Sequence, residues 1–354
     1  MSRGFTAAAP RPARRPAPAR GGRDWVVMFS ATPWRGQAQR QHALARQLTA
    51  GHRVLFVDPP GLRPQWRFEA GPVADGLWHA TPRVPLPLGR HLPPVNRLGR
   101  WLTARALRRW LAARPGDRLL WIDEDLAAPV VGQLGEAAVV YDTTDLDWTF
   151  TRWWNRWHLR AALRAAVAAA DLVLVSSRSL PPWLPRSRRA PVLLANACDP
   201  DQFTPAGPVA PDLAGLRRPL LGYVGAIDTR AFDGELVAQV ARAHPEWTFV
   251  LAGPSTRAGR RPLAGLANVR LLGPVDHADV PVILRSCDAT LIPYRLGGLI
   301  DYVHPKKCYE YLALGKPVVA TPLPAIVGSP ELGGAHATVR CAAGAGAFAA
   351  AIAA

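Results

Sequence analysis

Chemistry in this 354-residue sequence concentrates in a few short stretches. The densest is His304-Pro305-Lys306-Lys307-Cys308-Tyr309-Glu310, which runs on through Tyr311-Leu312-Ala313-Leu314 to Gly315-Lys316-Pro317-Val318-Val319. Proline suits a helix's first turn, where its missing N–H goes unused, and Gly315 followed by Lys316-Pro317 stops the helix before an apolar strand. Such a helix start offers free N–H groups, a positive dipole end and two ammonium groups, which together suit a diphosphate. Glu310 lies one turn beyond Lys307, placed to accept hydrogen bonds from ribose hydroxyls while the lysine faces phosphate. The same two residues also read as an ordinary i,i+3 surface ion pair contributing a few tenths of a kcal/mol.

A second stretch, Tyr141-Asp142-Thr143-Thr144-Asp145-Leu146-Asp147, puts three carboxylates after an apolar run. One of them could take a proton from a hydroxyl as general base, with Asp145 the first choice and Asp142 the second. In the plainer reading Asp142 caps the following turn and Asp147 is solvated. A third stretch, Pro33-Trp34-Arg35-Gly36 with Arg40 and His42, combines cations with a base candidate, although a histidine at a helix start is more often a packed or capping residue. Gly225 and Gly253-Pro254 each follow an apolar run, where glycine permits close approach of backbone to a ligand.

The elements that must position these groups follow from hydrophobic patterning. From Asp24 onward, short aliphatic or β-branched runs alternate with helical patterns, the signature of βαβ units around parallel sheets. Strands are expected at Trp25–Phe29, Arg53–Val57, Arg118–Ile122, Ala138–Tyr141 and Leu172–Val175, with helices near 37–50, 97–113, 126–134 and 151–170. After a Pro-rich passage at 199–218, strands are expected at Leu220–Val224, Thr248–Ala252, Val269–Leu272, Thr290–Ile292 and Val318–Ala320, with helices at about 233–243, 279–285 and 306–314. The expected fold is α/β, with two Rossmann-like doubly wound domains facing a cleft, over residues 24–198 and 199–354. Ligands in such sheets sit beyond the carboxyl ends of the strands, where the stretches above lie.

Composition narrows the function. No GxGxxG follows the first strand, where Ser30-Ala31-Thr32-Pro33-Trp34-Arg35-Gly36 stands, so a nicotinamide dehydrogenase is disfavoured. Cys198, Cys287, Cys308 and Cys341 are scattered and read as free thiols, without the spacing of a metal site. The net charge of +17 is carried almost wholly by arginine, with lysine only at 306, 307 and 316, and implies a surface that attracts anions. Residues 1–23, rich in Arg, Pro, Ala and Gly, read as a disordered basic tail. No stretch approaches the ~18 consecutive apolar residues of a membrane span, and no secretory signal is visible, so a cytoplasmic protein is expected. Two segments, 97–114 and 152–164, interleave Trp and Leu with Arg and suit either an anionic membrane surface or ordinary amphipathic helices.

The run from Pro305 to Val319 resembles the donor-site helix of GT-B glycosyltransferases, particularly bacterial enzymes of polysaccharide and cell-envelope synthesis. Four further segments resemble that group in order: Asn196-Ala197-Cys198-Asp199 with Phe203, Gly222-Tyr223-Val224-Gly225, Leu251-Ala252-Gly253-Pro254, and Cys287 to Tyr294. The resemblance implies a nucleotide diphosphate sugar as donor substrate and no other cofactor. It implies donor contacts from Gly225, Arg230, Gly253, Tyr294, Lys307 and Glu310, and an N-terminal loop of Arg35, Gly36 and Arg40 reaching toward phosphate or acceptor. Asp145, then Asp142 or His42, would be the base toward a hydroxyl acceptor, a glycan or lipid-linked glycan precursor, and nucleic acid is not an expected partner. Retaining members carry a second carboxylate eight positions before the helix glutamate, where this sequence has Tyr302, so the resemblance does not assign the anomeric outcome. Family members also continue past the Ala-rich end seen here, so the chain reads as shortened. The alternatives are a nucleotide-sugar epimerase on the same fold and a non-enzymatic polyanion- or membrane-binding protein.

Overall fold

The computed structural model describes residues 24–35, 39–297, 300–333 and 338–354. The expected tail at 1–23, Gly36 and the side chain of Asp147 lie outside the described residues. The N-terminal half forms one sheet from β1 (Trp25–Phe29), β2 (Arg53–Val57), β3 (Glu69–Ala74), β4 (Leu77–Thr81), β5 (Arg118–Ile122), β6 (Ala138–Thr143), β7 (Leu172–Val175) and β8 (Val192–Leu193). Their order is β3-β4-β2-β1-β5-β6-β7-β8, parallel except for the β3–β4 pair. The C-terminal half forms a second, parallel sheet from β9 (Leu220–Val224), β10 (Thr248–Ala252), β11 (Val269–Gly273), β12 (Ala289–Ile292), β13 (Val318–Ala320) and β14 (Val339–Cys341), in the order β11-β10-β9-β12-β13-β14.

Strand β1 is buried at all five positions because helices cover both faces of the sheet, so its sequence is a continuous apolar run without alternation. It pairs with β2 on one side and β5 on the other, which makes the β1/β5 boundary the point where chain order reverses. In the second sheet the reversal falls between β9 and β12. Crevices open at such switch points, beyond the strand ends.

The helices are α1 (Arg40–Leu48), α2 (Pro93–Ala112), α3 (Arg156–Ala169), α4 (Gly234–Ala243), α5 (Arg257–Arg260), α6 (Val280–Arg285), α7 (Lys307–Ala313), α8 (Pro324–Val327), α9 (Pro330–Gly333) and α10 (Ala345–Ala353). The helix expected near 126–134 is instead a 3-10 turn, Asp125–Val130, because Pro129 inside it removes a donor and crowds the preceding turn. The helix expected over 151–170 starts at Arg156, after a separate 3-10 turn at Trp153–Asn155. The β3–β4 hairpin, β8, β14 and α10 add to the expected elements. Strand β3, Glu-Ala-Gly-Pro-Val-Ala, lies at the sheet edge, where Pro72 is tolerated, and shows no apolar alternation.

The two halves meet through side chains. Tyr302, from the C-terminal half, is fully buried in the hydrophobic core of the N-terminal half. Its hydroxyl lies 3.1 Å from Thr149 Oγ1 and accepts the Leu146 N–H at 3.3 Å. Asn196 Nδ2 donates to the His304 carbonyl at 2.8 Å.

Candidate active site at two switch points

The second switch point is built around Lys307. Gly225 follows the end of β9, and a Cβ there would stand 2.5 Å from Lys307 Cε, 2.8 Å from the Tyr223 hydroxyl and 2.9 Å from Lys307 Nζ, so a larger residue would push the lysine end out of this position. A Cβ on Gly253 would meet the Gly225 carbonyl oxygen at 2.1 Å, with the Gly253 backbone at φ +134°. Both glycines thus allow two strand-end loops and the lysine to pack into one layer. Lys307 Nζ donates to the Tyr294 hydroxyl at 3.1 Å and lies 5.8 Å and 5.7 Å from the Tyr223 and Tyr294 ring centres. Burial works against its charge, but Tyr294 and Glu310 outweigh it, and the net effect raises its pKa above the ordinary lysine value. Lys307 is therefore a cation at neutral pH. Of the three N–H donors of an ammonium, one has a partner among the described residues.

The ion-pair reading of Lys307 with Glu310 is corrected: Glu310 Oε1 pairs with Lys306 Nζ at 2.9 Å, at spacing i,i+4. Successive helical residues point about 100° apart, which turns Lys306 onto the Glu310 face and Lys307 inward beneath Gly225. The helix also starts one residue later than expected, with Lys306 as N-cap and Pro305 just before it.

Arg230 ion-pairs with Asp228 at 3.0 Å, and its side chain remains two-thirds exposed. Burial pushes the Asp228 pKa up, but the backbone N–H groups of Arg230 and Ala231 and the Arg230 guanidinium overcome this and hold it below the usual value. Arg230 stands on the wall of a cavity of about 470 Å³ between the halves, with Arg295, Asp233 and Leu296 on one side and Thr149 and Thr151 on the other. Gly225, Gly253, Lys307 and Glu310 are not among its walls. Tyr294 belongs instead to an adjoining cavity of about 310 Å³ that shares Asp233 and Leu296 with the first.

At the first switch point the chemistry is acidic. Asp142, at the end of β6, is fully buried and held by Arg40, with Nη2 to Oδ1 at 3.1 Å and Nε to Oδ2 at 3.3 Å. Burial raises its pKa, and Arg40 opposes that rise. Arg40 also donates to the Ala195 carbonyl at 2.9 Å, so this guanidinium is engaged within the protein rather than turned toward a phosphate, contrary to expectation. Asp145 is exposed, in the loop that joins β6 to the cavity wall at Thr149. Arg35 is exposed at the end of the β1 loop.

His42 is corrected as a base candidate. Its Nδ1 accepts the Gln39 N–H at 3.1 Å and its Nε2 donates to the Pro33 carbonyl at 3.0 Å, while the ring packs against Trp34 and Phe56. Nδ1 thus caps α1 and Nε2 ties the helix to the loop after β1.

Two residues escaped sequence reasoning. Asp123 follows β5 at the reversal point, where Oδ1 accepts the Ala31 N–H at 2.5 Å. Burial drives its pKa well above the ordinary value, and the charges of Asp142 and Glu124 add to the rise. The available signal was position alone, an acidic residue directly after an apolar run. Tyr302 carried no signal as an anchor between halves, since its partners are more than 150 residues away in sequence.

Among the described residues no group of three His, Cys, Asp or Glu is arranged to hold a metal ion, and no helix is long and apolar enough to cross a membrane. The four cysteines are free, and burial pushes the thiols of Cys287 and Cys308 up to about 12.

Residues 218–354 match the family model of glycosyl transferases group 1. A Bacillus subtilis protein assigned to teichuronic acid biosynthesis as a glycosyltransferase, TuaH, is 36% identical over 121 residues, covering 32% of this chain and 30% of that protein. Solved structures are similar over nearly the whole chain. Sucrose-phosphate synthase from Thermosynechococcus elongatus superposes with a TM-score of 0.67 at 20% identity, covering 93% of this chain and 89% of that one. HepE from Anabaena, in complex with UDP and glucose, superposes with a TM-score of 0.63 at 15% identity, covering 93% and 89%. The protein therefore has the GT-B fold of these structures, and its residues 218–354 resemble the glycosyl transferases group 1 family.

Proposed function

We propose that the protein is a glycosyltransferase that moves a sugar from a nucleotide diphosphate donor to a hydroxyl acceptor, a glycan or lipid-linked glycan precursor. The observation that carries this is Lys307, a largely buried ammonium at the second switch point with two donors unengaged among the described residues. Such a group favours an anion strongly, because a buried cation gains more from a charge-assisted hydrogen bond than a solvated one does. The family match of residues 218–354 and the UDP and glucose bound in HepE support the same reading.

In this scheme residues 199–354 hold the donor and residues 24–198 receive the acceptor. The acceptor oxygen bonds to the anomeric carbon as the bond from that carbon to the diphosphate oxygen breaks. The electrons of the broken bond leave with the nucleoside diphosphate, whose new charge Lys307 stabilises with help from Arg230 at the cavity wall. Gly225 and Gly253 keep the backbone close, Tyr294 orients Lys307, and Glu310, steadied by Lys306, receives ribose hydroxyls. Asp145 takes the acceptor proton. Asp142 fits this role less well, since Arg40 occupies both its oxygens.

The test is thermal stability measured with UDP, GDP, ADP and TDP, since a ligand that binds only the folded state raises the melting midpoint. A shift with one nucleotide that disappears in Lys307→Ala is expected. An unchanged shift in that variant would sink the assignment.

A further inference from the structure

Beside the cavity mouth lies a surface that sugar transfer does not use. Thr151, in the cavity wall, is followed at once by Arg152, Trp153 and Trp154, and Trp157 comes in the first turn of α3. Trp153 is 81% exposed, Trp157 61% and Trp154 43%. Leaving three indole rings in water forfeits the burial that usually places tryptophan inside a protein or at an interface.

The turn that carries them is fastened to the 86–92 loop. Asn155, itself buried, donates from Nδ2 to the Arg90 carbonyl at 2.9 Å, and His158, also buried, donates from Nε2 to the Gly89 carbonyl at 3.1 Å. The Trp154 ring lies 5.3 Å from that of His91. The loop presents Leu86, Leu88 and Leu92, each about half exposed. Two chain segments thus offer six large apolar side chains on a shared framework fixed by buried polar contacts.

Charge singles out the partner. Arg90, Arg152 and Arg156 are exposed within the same framework. No acidic residue occurs between Asp75 and Asp117, a segment with eight arginines, nor between Asp147 and Asp171, a segment with four. Tryptophan and leucine among arginines, in two segments without a carboxylate, match the boundary of an anionic bilayer, where indoles sit at headgroup level and guanidiniums meet lipid phosphates. Nucleic acid would use the aromatic rings for stacking but has no use for three exposed leucines.

We propose that this face docks the protein on an anionic lipid bilayer, bringing the cavity mouth at Thr149 and Thr151 to the membrane surface. It deepens the proposed function by indicating that the acceptor is presented from lipid. The attachment is peripheral, through one face of the N-terminal half.

The experiment is sedimentation of the full chain with vesicles of equimolar phosphatidylcholine and phosphatidylglycerol, against phosphatidylcholine alone. Binding to the anionic vesicles that falls steeply with added salt is expected. The double variant Trp153→Ser, Trp157→Ser alters only exposed side chains, so its melting midpoint should match the parent's while its partitioning falls about tenfold or more. Arg152→Glu with Arg156→Glu should weaken binding to anionic vesicles by a similar factor and flatten the salt dependence. The proposal is overturned if the parent does not sediment with anionic vesicles, or if the tryptophan variant sediments equally well. It is also overturned if that variant loses binding to an RNA homopolymer while its vesicle binding is unchanged. Vesicle binding by a protein that responds to no nucleotide diphosphate would leave this proposal standing and remove the transfer reading alone.

Discussion

The two switch points share a geometry and differ in chemistry. Each lies where a parallel sheet reverses its chain order, at β1/β5 in one half and β9/β12 in the other. At the first, the strand-end groups are carboxylates, and the buried cation beside them, Arg40, is fully engaged with Asp142 and the Ala195 carbonyl. At the second, the strand-end groups are glycines and a tyrosine around Lys307, which makes one side-chain hydrogen bond among the described residues. A Rossmann-like half supplies only a crevice, and the residues ending its strands decide whether that crevice handles protons or anions.

Breaking the acidic side should show most in the reaction rate. Replacing the proposed proton acceptor, Asp145→Asn, is expected to lower transfer by about 10²–10⁴-fold with nucleotide binding unchanged. Steady-state kinetics with a donor found in the thermal screen would check this, and retained transfer would move the base elsewhere.

Arg40→Ala attacks the same side through stability. It leaves the buried Asp142 carboxylate unpaired, which costs about 3–5 kcal/mol, readable in urea unfolding at neutral pH. A loss below about 1 kcal/mol, typical of exposed pairs, would show that the pair is not sealed from water.

On the cationic side the adjacent lysines should separate. Lys307→Ala is expected to weaken nucleotide diphosphate affinity by about 10–100-fold, the value of about one charge-assisted hydrogen bond. Lys306→Ala should cost severalfold at most, because that ammonium serves Glu310. Equal losses by calorimetric titration would erase the distinction drawn between them.

The smallest effect concerns Asp123 and is a matter of sign. Its folded-state pKa lies well above the unfolded value, so the folded protein binds this proton more tightly. The ionised form therefore penalises folding above the folded pKa, and the penalty fades as pH falls through that value toward the unfolded one. Asp123→Asn should accordingly gain stability relative to the parent at pH 8 and less of it at pH 5. A gain that is independent of pH would contradict the raised pKa.

Most of the fold was legible because strands buried on both faces leave apolar runs that need no partner to be recognised, as in Trp25–Phe29 and Leu220–Val224. Edge elements were not. Glu69–Ala74 is mostly solvated and carries a glycine and a proline, and Val339–Cys341 has three residues, too few for any period to register.

The candidate site divides along the same line. The sequence by itself determined that cations and a glutamate sit at a helix start after β12, that glycines end β9 and β10, and that carboxylates follow β6, because residue type and strand position are local properties. Only the tertiary structure decided that Lys307 rather than Lys306 turns inward, that both His42 nitrogens are hydrogen-bonded to backbone, and that Arg40 is claimed by Asp142. It also decided that Tyr302 lies in the core of the opposite half. The Arg40 and Tyr302 outcomes depend on groups that meet across 100 or more residues of chain, as in the Arg40–Asp142 contact with its separation of 102, and the Lys307 and His42 outcomes on how nearer segments pack together. A side chain's chemistry is set by the partners it finds there.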